Sequence, residues 1–94
     1  MKRFMLLHIG FEQPTPELMG RWKVWFESIA PHTVENVALR TAREISKDGV
    51  AELAWGRDSL TGYTIITAED MGAAEAMARS NPFITSIRIY ELAA

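Results

Sequence analysis

Hydrophobic positions along the chain follow two spacings, and the first is typical of strands. Five short segments are rich in β-branched, aromatic or long apolar residues, and some of them alternate apolar with polar positions. The predicted strands are residues 2–10, 42–46, 50–54, 61–67 and 85–92. The sequence Lys47-Asp48-Gly49 is typical of a tight turn, so the second and third of these strands are predicted to form a hairpin. Residues 32–43 show no clear period and are predicted to be a loop that leads into a strand near Thr41.

The second spacing predicts two helices that each carry one apolar face. In residues 16–29 the apolar side chains recur at helical intervals, and Thr15 precedes them as the predicted N-cap. This stripe consists of Leu18, Trp22, Trp25, Phe26 and Ile29. Residues 68–80 are rich in alanine and carry a similar stripe, with a capping box predicted at Thr67 and Asp70. Because each helix has a single apolar face, both are expected to cover the same face of one sheet.

With the hairpin counted as one unit, the order of these elements is β-α-β(hairpin)-β-α-β. It predicts an α+β fold of the ferredoxin-like type, βαββαβ, with an antiparallel sheet and two helices on one face. The first strand is apolar on both of its faces. Phe4, Leu6 and His8 point to one face, and Met5, Leu7 and Ile9 point to the other. A strand that is apolar on both faces has to be covered on both. A homodimer through the sheet is therefore expected, in which a second copy of the chain covers what the helices leave open.

Length, charge and composition narrow the possible partners. The 94 residues are expected to form a single domain, 1–94. The formal net charge is −2 and no basic block exceeds Lys2-Arg3, so no nucleic-acid partner is expected. No apolar run approaches the length that spans a membrane, and no membrane partner is expected. The chain has no cysteine, which excludes thiolate chemistry and fits a cytoplasmic location.

Five segments of the chain resemble the YCII-related proteins and, more distantly, the DGPF-domain group. They are FMLLHIGFE, PTPELMGRWKVWFESI, REISKDG, DSLTGYTII and ARSNPFITSIRIYEL, and together they cover nearly the whole chain. The last is the most specific, because the end of a helix, an Asx-Pro-Phe turn and the final strand follow each other in the family's order. The resemblance implies a dimeric α/β barrel, in which two ferredoxin-like sheets pack face to face.

The resemblance also implies a site that this chain lacks. Some members of the family are proposed to use a His–Asp pair, and a few relatives act on chlorinated or hydroxylated aromatic rings. The family's histidine lies in the first helix shortly after a proline, but the corresponding TPELMGRW contains no histidine. The family's aspartate precedes the proline of the terminal turn, where this chain has Asn81. An amide cannot accept a proton as a carboxylate does, so activity by the family's route is not expected.

His8 is the leading candidate for chemistry, because it interrupts an apolar strand. A buried imidazole needs hydrogen-bond partners, and it can act as a general acid or base. The alternative is a histidine that is simply hydrogen-bonded within the dimer core or at its rim. Asp58 and Tyr63 are its predicted catalytic partners, and all three are expected to converge on one pocket. Asp58 alternatively caps a loop, and Tyr63 alternatively packs in the core with a polar tip.

Three further residues are predicted to contact a ligand. Trp22 and Phe26 would line an aromatic pocket, with the helix core as the alternative role. Asn81 would contact the ligand or else end the second helix by bonding to the backbone. No metal-binding set and no cofactor is predicted. Two functions remain open: a small-molecule enzyme with His8 as the acid or base, and a non-catalytic homodimer that binds a small ligand or serves as an accessory protein.

Overall fold

The computed structural model describes residues 1–93, which form six strands, two α-helices and one short 3₁₀ turn. They are β1 (Lys2–Ile9), α1 (Pro16–Ile29), a 3₁₀ turn (Ala30–His32), β2 (Thr33–Ala38), β3 (Ala42–Ser46), β4 (Gly49–Leu53), β5 (Leu60–Ala68), α2 (Met71–Arg79) and β6 (Ser86–Glu91). Four of the strands form an antiparallel sheet in the order β2-β5-β1-β6. Helix α1 follows β1 and α2 follows β5, as in a ferredoxin-like fold. The predicted α+β fold class is confirmed.

Strand β2, at the edge of this sheet, was not expected from the sequence. β2 lies in the segment that was predicted to be a loop, and that prediction is wrong. As an edge strand, β2 leaves Val34, Glu35 and Asn36 exposed, so its sequence carries no apolar alternation. The predicted hairpin exists as β3 and β4, but it forms a separate two-stranded sheet. Its turn holds Gly49 at a φ of +120°, which a glycine adopts readily.

The first helix follows its prediction and the second begins later. The Thr15 hydroxyl accepts a hydrogen bond from the Leu18 backbone N–H at 3.1 Å, which caps α1 as expected. The predicted capping box is wrong, because Asp70 itself is the N-cap of α2 and accepts from the Ala73 N–H at 2.8 Å. Thr67 belongs to β5, where its hydroxyl donates to the backbone carbonyl of His32. Strand pairing therefore extends to Ala68 and delays the helix.

The core lies between the helices and one face of the sheet, which we call the covered face. Its fully or almost fully buried apolar side chains are Phe4, Leu6, Trp25, Ile29, Ile66, Ala68, Ala74 and Ala78. The small alanines of α2 allow that helix to approach the sheet closely. The opposite face, which we call the open face, carries Met5, Leu7 and Ile9 of β1 and Tyr63 and Ile65 of β5. These five side chains keep part of their surface exposed.

Gly10 shapes the end of β1. Its φ of +116° is a conformation that other residues rarely adopt. A Cβ atom at this position would lie 2.6 Å from the Thr85 hydroxyl oxygen and 2.9 Å from the Ile84 Cβ. Only a glycine therefore allows the chain to leave β1 this close to the segment before β6.

Within residues 1–93, neither helix is long and apolar enough to cross a membrane.

Candidate functional site

A cavity of about 420 Å³ lies between the start of α1 and the sheet, beside the end of β1. We call it the His8 cavity. Its walls are largely apolar and aromatic, and they include His8, Phe11, Leu18, Trp22, Phe26 and Asn36. Glu12 is the charged residue on its rim, and the described residues that line it include no lysine or arginine. A concave apolar site with a few polar groups is the usual form of a small-molecule site.

His8 lines this cavity, and one of its ring nitrogens is engaged while the other has no partner within residues 1–93. Its Nε2 atom lies 2.8 Å from the Thr64 hydroxyl oxygen, and that hydroxyl donates to the Asn36 side-chain oxygen at 2.9 Å. A hydroxyl has one proton to donate. With the Thr64 proton in the bond to Asn36, the Nε2 atom of His8 is the donor to Thr64. Nδ1 is then the unprotonated acceptor, and it is buried with no partner within residues 1–93.

Two tryptophans enclose the imidazole of His8. The Trp22 ring lies edge-on at 5.1 Å between ring centroids, and the Trp25 ring does so at 5.7 Å. The Trp25 indole N–H donates to the Met77 carbonyl at 2.9 Å, which ties this ring to α2. Only 6% of His8 is exposed, and burial lowers the pKa of His8 to about 4. At neutral pH the ring is therefore uncharged and is a hydrogen-bond acceptor at Nδ1.

The structure brings His8 together with some of its predicted neighbours. Trp22 and Phe26 line the same cavity as His8. Asp58 does not, because it lines a different cavity of about 700 Å³ between the base of the β3–β4 hairpin and the segments beside it. That cavity also includes Trp55 and Arg57. The expectation that Asp58 converges with His8 on one pocket is wrong, because the two residues line different cavities.

Tyr63 lies on the opposite face of the sheet from His8. It is paired with Leu7 in the register between β1 and β5, and side chains alternate between faces along a strand. The Tyr63 hydroxyl donates to the Glu35 carboxylate at 3.2 Å. Desolvation and the neighbouring Glu35 charge raise the pKa of Tyr63. The expected convergence of Tyr63 with His8 is also wrong, because the sheet separates the two side chains.

Asn81 lies in a third cavity, of about 650 Å³, between α1 and the end of α2. Trp25 and Arg21 are among the other residues that line it. Asn81 is buried, and neither its amide oxygen nor its amide nitrogen has a partner within residues 1–93. The expected bond from its side chain to the helix end is not observed. Instead the Ser80 hydroxyl donates to the Met77 carbonyl at the end of α2.

Thr64 and Asn36 contribute to the site but were not predicted. Thr64 falls in the segment TGYTIIT, where alternation alone places it on the same face as Ile66. That signal becomes informative only once β5 is paired with β1. Asn36 was missed because β2 was predicted to be a loop.

Within residues 1–93, no three His, Cys, Asp or Glu side chains are close enough together to hold a metal ion.

Comparison with known proteins identifies a solved structure with a similar fold. No protein-family model and no curated protein sequence matches the chain. Among solved structures, it is similar to 5-chloro-2-hydroxyhydroquinone dehydrochlorinase (TftG) from Burkholderia phenoliruptrix AC1100, in a complex with 2,5-dihydroxybenzoquinone. The TM-score is 0.58 at 11% sequence identity, over 97% of this chain and 93% of that chain. At this identity the similarity concerns the fold alone, and the chain therefore shares its α+β fold with this dehydrochlorinase.

Proposed function

We propose that this chain is a YCII-related protein that binds a small, uncharged ring compound in the His8 cavity, where His8 accepts a proton or a hydrogen bond from it. The observation that carries the proposal is the buried, unpartnered Nδ1 atom of His8. A buried acceptor without a partner destabilises a protein by roughly 1–3 kcal/mol. A ligand O–H or N–H group that reaches Nδ1 would remove this penalty, which makes the nitrogen a favourable contact for a ligand.

The lining of the cavity supports a flat and uncharged ligand. Phe11, Trp22 and Phe26 offer aromatic surfaces against which a ring can pack. Glu12 would repel an anion at the rim, and no lysine or arginine among the described lining residues would balance one. A phenol fits these conditions better than a carboxylate, because it is neutral near pH 7 and donates one O–H. The similar dehydrochlorinase is itself in a complex with a hydroxylated ring compound, 2,5-dihydroxybenzoquinone.

Access to Nδ1 requires one of the enclosing rings to move, since this atom is closed to solvent. Trp25 is buried and is held by its bond to Met77. Trp22 is half-buried, lines the cavity and makes no side-chain hydrogen bond within residues 1–93. Trp22 is therefore the less restrained of the two rings, and we propose that its displacement opens Nδ1 to a ligand.

Proton transfer at this site would leave two charges in apolar surroundings. If Nδ1 takes the proton of a ligand hydroxyl, the products are an imidazolium and a ligand oxyanion. Burial disfavours the imidazolium, so the two charges would have to remain in contact as an ion pair. The same pKa of about 4 favours a second candidate function, in which His8 only accepts a hydrogen bond and the chain binds its ligand without turnover.

Self-association through the open face is part of the proposal. Met5, Leu7 and Ile9 place three apolar side chains on the uncovered side of the central strand β1. Tyr63 and Ile65 extend this apolar area on β5. A second copy that packs its own open face here would remove both apolar areas from water.

We also propose a cytoplasmic location for the protein, and the absence of cysteine from the sequence supports this.

Calorimetric titration of hydroquinone into the protein tests the proposed ligand site. We expect saturable binding that His8→Phe weakens about tenfold, because one hydrogen bond of roughly 1–1.5 kcal/mol is lost. Tyr63→Phe is the matched control, since it removes a hydroxyl from the other face and should leave the affinity unchanged. Benzoate should bind more weakly than hydroquinone. Absence of saturable hydroquinone binding, or equal affinity in His8→Phe, would overturn the proposal.

Turnover separates the two candidate functions. Chlorohydroquinone is incubated with the wild-type protein, and released chloride and remaining substrate are measured over time. Release of chloride that is lost in His8→Phe and kept in Tyr63→Phe would support an enzyme. Binding without any consumption of the compound would support the non-catalytic function.

A further inference from the structure

The hydrogen bonds of His8 continue to a residue that also lines the cavity. Thr64 is fully buried and lies between the His8 ring and the Asn36 side chain. Asn36 is the cross-strand partner of Thr64 in the register of β2 and β5. Its side-chain oxygen accepts from Thr64, and the residue forms part of the cavity wall. The chain of bonds therefore runs from the buried imidazole to a side chain that a ligand in the cavity can reach.

We propose that Thr64 and Asn36 are positioning residues that hold the His8 proton on Nε2, and that the Asn36 amide N–H donates to an oxygen of the ligand bound beside His8. This inference rests on the proposed function and assigns polar contacts within the same cavity. The ligand class follows from those contacts. A compound with an O–H group for Nδ1 and an oxygen lone pair for Asn36 satisfies both, as a phenol or a hydroxylated ring ketone does.

The direction of each bond supports the positioning role. Because the Asn36 oxygen faces Thr64, the single proton of Thr64 points away from His8. The oxygen lone pairs of Thr64 are then the only part of that hydroxyl available to His8 Nε2. If Nε2 lacked a proton, two lone pairs would face each other at 2.8 Å. The tautomer with its proton on Nδ1 is therefore disfavoured while this network is intact.

The donor role of Asn36 follows from the remaining capacity of its amide. An asparagine side chain can accept at its oxygen and donate two protons from its nitrogen. The oxygen is engaged by Thr64, and this bond fixes the amide plane at the cavity wall. The nitrogen makes no hydrogen bond to a protein group within residues 1–93. Binding of a ligand oxygen at this nitrogen would need no rearrangement of the network.

Nitrogen-15 NMR of the imidazole in the ligand-free protein tests the positioning role without a ligand. We expect His8 to show a protonated Nε2 and an unprotonated Nδ1 at pH 7. Thr64→Ser should retain this pattern and keep the Nε2 proton protected from exchange with solvent. Thr64→Val should lose this protection. A proton on Nδ1 in the wild-type protein, or a protected Nε2 proton in Thr64→Val, would overturn the positioning role whatever the ligand experiments show.

Titration with hydroquinone tests the donor role separately. Asn36→Asp keeps an acceptor for Thr64 but removes the amide N–H, so the His8 NMR pattern should persist while hydroquinone affinity falls about tenfold. Glu35→Gln, on the neighbouring position of β2, is the control that should bind as the wild type does. Unchanged affinity in Asn36→Asp would overturn the donor role. If the wild-type protein does not bind hydroquinone, that result would instead count against the proposed function itself.

Discussion

The two faces of β1 carry similar side chains in different surroundings. On the covered face, Phe4 and Leu6 have no exposed surface and His8 keeps 6% of its own. On the open face, Met5 and Leu7 remain partly exposed, although they alternate with the first set along the same strand. The apolar character of the sequence is shared, but only one set lies beneath the helices. Burial here depends on which layer packs against a face and not on how apolar that face is.

The neighbouring residues Tyr63 and Thr64 show what this difference means for chemistry. Tyr63 forms a hydrogen bond to Glu35 on the open face, where water competes with the bond. Thr64 forms its bonds to His8 and Asn36 on the covered face, where its exposed surface is 0%. Burial away from water lowers the pKa of His8, and hydrogen bonds that are excluded from water can fix its tautomer. This is why the candidate site lies on the covered face.

The largest expected effect comes from truncating a side chain on each face. Leu6→Ala should lower the free energy of unfolding by about 2–5 kcal/mol, because it leaves a cavity in the core. Leu7→Ala removes the same atoms from the open face and should lower it by less than half as much at low protein concentration. Urea unfolding followed by circular dichroism measures both variants. Equal losses would show that the two faces are covered to the same extent in the single chain.

The next effect concerns the pH dependence of stability on the covered face. The pKa of His8 falls from an ordinary value of 6.5 to about 4 in the folded protein, so the unfolded chain takes up this proton first as the pH falls. The His8 contribution is fully present above pH 6.5 and is progressively lost towards pH 4. The free energy of unfolding should fall by about 3 kcal/mol over this window because of His8 alone.

His8→Phe isolates this contribution from those of the carboxyl groups. Urea unfolding of the wild type and of the variant is measured at pH 7 and at pH 4. The difference in unfolding free energy between the two proteins should shift by about 3 kcal/mol in favour of the variant at the lower pH. A difference that stays the same at both pH values would contradict a buried, neutral His8.

The smallest effect of the three concerns self-association through the open face. Leu7→Lys places a charge where the proposed second copy packs, so the dimer should weaken at least tenfold, or about 1.4 kcal/mol. Sedimentation velocity at several protein concentrations measures this change. Ile45→Lys is the control, because Ile45 lies on the β3–β4 hairpin with 82% of its surface exposed. A wild-type protein that is monomeric at every concentration would remove the proposed interface.

Local spacing in the sequence was sufficient to predict much of the fold. Residues that are close together in the sequence specify the apolar run of β1, the helical stripe of α1 and the turn at Gly49. They appear in the structure at or near their predicted limits. β2 could not be predicted in this way. Its exposed edge residues carry no periodic signal, and only hydrogen bonding to β5 makes this segment a strand.

The candidate site was predictable only in part, for a related reason. His8 stands out in the sequence because a polar ring interrupts an apolar strand, and Trp22 and Phe26 follow the stripe of a helix that must pack nearby. The partners of His8 depend on strand register, and a shift of one residue would have turned Tyr63 inwards and Thr64 outwards. The sequence by itself determined which segments are apolar and where an imidazole interrupts them. The tertiary structure alone decided which residues meet that imidazole, because pairing between distant strands sets the face on which each side chain lies.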